Sequence, residues 1–93
     1  MTTAQPLHGK VAFVQGGSRG IGAAIVKRLA SEGAAVAFTY AASADRAEAV
    51  ASAVTAAGGK ALAIKADSAD AAALQQAVRQ AVSQFGNLDI DRK

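Results

Sequence analysis

The residues best suited to chemistry stand in one run, Gly16-Gly17-Ser18-Arg19-Gly20-Ile21-Gly22. Counted from Gly16 through Gly20 to Gly22, the spacing is glycine, three residues, glycine, one residue, glycine. Glycine lets a chain turn tightly and brings its backbone within reach of a pyrophosphate, while a last glycine lets helix and strand pack closely. If the run opens a helix, the N–H groups of its first turn and the positive end of its dipole favour a phosphate. A glycine cluster taken alone reads equally well as a plain turn, so its flanks decide between the two.

Those flanks are a strand and a helix. Val11-Ala12-Phe13-Val14 is a short unbroken apolar run, the pattern of a strand buried on both faces. Beyond Gly20, Ile21, Ile25 and Leu29 recur every fourth residue and predict one helical face, stopped at Gly33. A second apolar run, Ala34 to Phe38, continues through Thr39 and Tyr40 into a turn of small residues. A second helix follows, with Ala47, Val50, Ala51 and Val54 inward, Ser43 as its expected N-cap and Asp45 in its first turn. Gly58-Gly59 ends it, Ala61 to Ile64 predicts a third strand, and Leu74, Val78, Val82 and Phe85 mark a third helix ending at Gly86. Leu88-Asp89-Ile90 opens a fourth strand.

Strands alternating with helices predict the α/β class: a Rossmann-like three-layer α/β/α arrangement around a parallel sheet. Right-handed crossovers give strand order 3-2-1, with a stunted strand 4 beside strand 1. No linker or repeat interrupts the 93 residues, which predicts one domain over 1–93.

The glycine spacing resembles that of the short-chain dehydrogenase/reductase family. The wider run from Lys10 to Gly22, Gly33-Ala34 before strand 2, Asp67 after strand 3 and Phe85-Gly86-Asn87-Leu88-Asp89-Ile90 extend the likeness over nearly the whole chain. The resemblance implies that Gly16, Gly17, Ser18, Arg19, Gly20, Ile21 and Gly22 cradle the pyrophosphate and adenosine ribose of a dinucleotide. It implies that Asp67 and Ser68 meet the adenine edge, although this pair also reads as a helix cap, and both roles can hold together. Asp89 would brace the adenine side, or stand as a solvated acid. At Gln15 the family commonly has a Thr whose hydroxyl braces the turn, and here a Gln amide would have to substitute.

Cofactor choice follows from charge. Binding of NAD uses an acid about 20 residues past the glycines to hold the ribose 2′-hydroxyl, and that acid would repel a 2′-phosphate. Strand 2 ends Thr39-Tyr40-Ala41-Ala42-Ser43, with no acid. NADP is therefore favoured over NAD, with Tyr40 and Ser43 completing the cofactor-binding set. In look-alike members a residue placed like Arg19 pairs with the 2′-phosphate, to which an Arg fork is well suited. Otherwise Arg19 is a solvated loop cation.

No catalytic residue is evident. The family places a Ser and a Tyr-x-x-x-Lys pair beyond an Asn-Asn-Ala-Gly segment, and none of these is present: Tyr40 is the sole tyrosine, and Ala44 stands four residues after it. General acid catalysis needs a positioned proton donor. The expectation is a cofactor-binding front half of an oxidoreductase, inactive by itself. The alternative is a nucleotide-binding module without chemistry, or an engineered minimal scaffold. His8, the one histidine, belongs to a polar lead-in, and no His, Asp or Glu pair has metal-ligand spacing.

Composition narrows the partners. Ten basic residues are scattered rather than clustered, for a net charge of +3, and aromatics are only 4%, which speaks against nucleic acid. No apolar stretch could span a bilayer, and the N-terminus lacks a signal pattern. With no cysteine, the chain suits the cytoplasm. A small core, an open edge of strand 1 flanked by Val11, Phe13 and Val14, and a helical patch of Ile21, Ile25, Val78 and Val82 predict a homo-oligomer formed through that edge or the C-terminal helix.

Overall fold

A computed structural model describes residues 6–16 and 20–92. The elements are β1 (Val11–Val14), α1 (Gly20–Ser31), β2 (Ala35–Tyr40), α2 (Ala44–Ala56), β3 (Lys60–Lys65), α3 (Ala71–Phe85) and β4 (Ile90–Arg92). All strand pairings are parallel, in the order β3-β2-β1-β4. The fold is the expected Rossmann-like one, with strand 4 starting at Ile90 rather than Leu88.

The period of two along each strand divides the core between the sheet's faces. Ala12 and Val14 of β1 and Val36 and Phe38 of β2 pack with Val26 of α1 and Ala47, Val50 and Val54 of α2. Phe13 and Ala37 point the other way, joining Ile64, Ala66 and the α3 residues Ala77 and Ala81. The alanines let α3 lie close to the sheet, and Phe13 fills the space between.

Two helical faces differ from expectation. In α1 the fully buried residue is Val26, whereas Ile21 is 81% exposed and Ile25 and Leu29 are half-buried at the rim of the core. In α3 the buried positions are Ala77 and Ala81, Leu74, Val78 and Phe85 flank them, and Val82 is 39% exposed. The alternate apolar positions lie one residue round the helix, so the smaller residues take the closest approach.

The caps also shift. Asp70, not Asp67 or Ser68, caps α3: its Oδ1 accepts the Ala73 N–H at 3.1 Å. Ser43 occupies the N-cap position of α2 but makes no side-chain capping bond. Nor is the outer edge of β1 open, because β4 pairs with it at Ala12, Phe13 and Val14. Asp89 fastens that pairing at its start. The Val11 N–H donates to Asp89 Oδ2 at 2.9 Å, and the Asp89 N–H donates to the Val11 carbonyl at 2.8 Å.

Candidate functional site

The glycine turn leaves β1 at its carboxyl end, where open parallel sheets bind ligands. Gly16 has φ of 70° and Gly20 φ of 60°, left-handed backbone that suits glycine, and among the described residues nothing beyond the adjoining chain and the helix's own backbone lies within 4 Å of where either Cβ would stand. The space beside the backbone there is open to a ligand. Gly17, Ser18 and Arg19 lie outside the described residues, so their assigned roles remain expectations. Gly20 opens α1, and no acid stands in its first turn. The N–H groups of a helix's first turn lack intrahelical partners, and with no carboxylate beside them they attract an anion. The exposure of Ile21 thus has a consequence: the helix start is not walled off by its own side chain packing.

A hollow of about 180 Å3 lies at the carboxyl ends of β1, β2 and β3. It brings together four of the sequence-derived residues, Gly16, Tyr40, Ser43 and Ser68, and adds Thr39, Ala41, Ala42 and Ala66. No acid lines it. Asp67 adjoins this wall but spends its carboxylate locally, Oδ1 accepting the Ala69 N–H at 2.9 Å, while its carbonyl accepts the Asp70 N–H. It shapes the turn from β3 into α3. Asp89 stands at the amino end of β1, away from this hollow, so the adenine-side brace implied for it does not match its position.

A larger hollow of about 770 Å3 opens at the opposite end of the sheet, with Lys10, Lys27 and Lys60 among its lining. Size favours it, but topology does not: it adjoins the amino ends of the strands and the carboxyl ends of α1 and α2, whose dipoles disfavour anions. The smaller hollow lies at the carboxyl ends of the strands and has Gly16, the first residue of the glycine turn, in its lining.

Thr39 was not among the residues singled out from sequence. It is fully buried, and its Oγ1 accepts the Gly16 N–H at 3.0 Å across 23 residues of sequence. A hydroxyl at an inward position of an otherwise apolar strand was the available signal. Gly16 therefore contributes shape to the site, its N–H being committed to Thr39.

A family model described as short chain dehydrogenase matches residues 10–90. The chain belongs to this family. An oxidoreductase of Methylorubrum extorquens, itself uncharacterised, is 56% identical over 84 residues, covering 90% of this chain and 34% of that protein. A solved short-chain dehydrogenase/reductase from Serratia marcescens is 94% identical, with a TM-score of 0.91 over 92% of this chain and 35% of that one. A short chain dehydrogenase from Burkholderia cenocepacia, solved in complex with NADP, is 57% identical, with a TM-score of 0.90 over 92% of this chain and 35% of that one. The chain thus spans about a third of the length of the family members it matches. Among the described residues no group of His, Cys, Asp or Glu could hold a metal ion, and no helix is long and apolar enough to cross a membrane.

Proposed function

We propose that this chain binds the adenosine and pyrophosphate portion of NADP(H), as the cofactor-binding part of an oxidoreductase moving hydride between NADP(H) and a carbonyl or alcohol. The observation that carries this reading is a hollow at the carboxyl ends of three parallel strands, lined by Gly16 of the glycine turn and, among the described residues, by no acid. Gly20, Ile21 and Gly22 would offer backbone donors to phosphate. Tyr40, Ser43 and Ser68 would border the adenosine, with Asp67 setting the turn behind them. Arg19 would pair with the 2′-phosphate. The Burkholderia cenocepacia relative in complex with NADP supports NADP over NAD. When bound, the nicotinamide supplies or takes up the hydride, and the residues of this chain orient the other end of the cofactor.

A cytoplasmic location belongs to the same proposal and suits a chain without cysteine. Self-association through the β4 edge or α3 completes the proposal.

Titration of the chain with NADPH and NADH tests it. Since only part of a dinucleotide is held, NADPH is expected to bind at about 0.1 to 1 mM, or about 4 to 5 kcal/mol. NADH should bind more weakly, and Arg19→Ala should erase the difference. A preference for NADH, or a preference for NADPH untouched by Arg19→Ala, would count against the site as drawn.

A further inference from the structure

We propose that Thr39 is the positioning residue of the glycine turn, its hydroxyl holding the Gly16 N–H so that the chain leaves β1 in the direction that presents the start of α1 to a phosphate. This rests on the cofactor reading above.

Thr39 is the single buried polar residue among the described residues. A hydroxyl in such a place is costly unless it is hydrogen-bonded, and the Gly16 N–H, 3.0 Å away, supplies its partner. For strand formation alone Val would serve as well at this position, with no polar atom to satisfy. The bond spans two neighbouring strands at the point where β1 stops and the turn begins, and it fixes the peptide plane between Gln15 and Gly16. A glycine at φ of 70° has more conformational freedom than any other residue, so a turn built on it needs an external restraint to hold one geometry. Gln15, the residue before the turn, makes no side-chain hydrogen bond among the described residues, and the restraint comes from β2 instead. Thr39 also lines the hollow, so the same residue sets the turn and closes the floor of the site.

The test compares the chain with Thr39→Val, Thr39→Ser and the double variant Q15T/T39V. Three quantities are read: hydrogen exchange of the Gly16 amide, the amide shifts of Gly20 to Gly22, and affinity for NADPH, each at a temperature where far-UV circular dichroism shows the native fold. Thr39→Val is expected to speed Gly16 exchange, move the Gly20 to Gly22 amides and weaken NADPH binding about tenfold, equivalent to about 1.4 kcal/mol. Thr39→Ser, which keeps the oxygen, should restore all three. Unchanged exchange and affinity in Thr39→Val overturns the proposal, and so does faster exchange with unchanged affinity, since the bond would then serve the fold alone. If Thr39→Val does not fold, Q15T/T39V decides: recovery of fold and binding supports a hydroxyl restraint on the turn, and failure to recover overturns it. If the unaltered chain does not bind NADPH, the cofactor reading fails, and the amide shifts decide by themselves whether Thr39 positions the turn.

Discussion

At the scale of single residues, Ala41 and Ala42 carry as much information as the glycines. They line the hollow at the end of β2, where a carboxylate would hold a ribose 2′-hydroxyl and repel a 2′-phosphate. Ala41→Asp is therefore expected to weaken NADPH binding and leave or improve NADH binding, shifting their ratio about tenfold, or about 1.4 kcal/mol. Paired titrations with the two cofactors measure it. Proton transfer is a separate matter. Tyr40 borders the hollow, but Ala44 follows it at the fourth position and, among the described residues, no acid lines the hollow with it. The 93-residue chain is expected to show no carbonyl reduction by the absorbance of reduced nicotinamide, and turnover lost in a Gly20→Val variant would contradict this. The glycines and the acid-free strand end were legible in the sequence because each departs from what packing alone asks for. Thr39 was not, because threonine is an ordinary strand former and its partner is 23 residues away.

At the scale of elements, strands were easier to read than helix faces. Each apolar strand run is bounded by glycine or polar residues; β1 has its expected bounds, and those of the other strands differ by a residue or two. In α1 the apolar residues Ile21, Ala23, Ile25, Val26, Leu29 and Ala30 fit two faces almost equally, and sheet packing chose the one centred on Val26. Val26→Ala removes two methyl groups from a closed site and should cost about 2 kcal/mol, whereas Ile21→Ala should stay within about 0.5 kcal/mol. Urea unfolding of the two variants separates these faces, and equal costs would contradict the packing. The start of α3 offers a similar choice, since Asp67, Ser68 and Asp70 are all competent caps. Only Asp70 is in register for the Ala73 N–H. Asp70→Ala is expected to cost about 1 kcal/mol, and Ser43→Ala, which breaks no capping bond, a few tenths at most. Thermal melts of both would show it.

At the scale of the whole molecule, the sheet edge governs association. The sequence suggested an open edge on β1, but β4 covers it, so the edge on that side of the sheet belongs to a strand of only three residues, and β3 forms the other edge. How far β4 would reach could not be read from Leu88-Asp89-Ile90 alone, because the pairing depends on Asp89 anchoring the Val11 N–H. A short strand still presents unpaired N–H and C=O groups along its outer side. Beside it, α3 is the only helix on its face of the sheet among the described residues, leaving Leu74, Val78, Phe85 and Leu88 half-buried and Val82 39% exposed. Covering this margin with a second copy would pair the edge and remove apolar surface from water at once, a gain that matters most to a small core. The chain is therefore expected to sediment as a dimer or larger species at tens of micromolar. Val82→Lys should shift it toward monomer if α3 carries the contact, and should leave it associated if the β4 edge does. A folded monomer throughout that concentration range would refute association by either route.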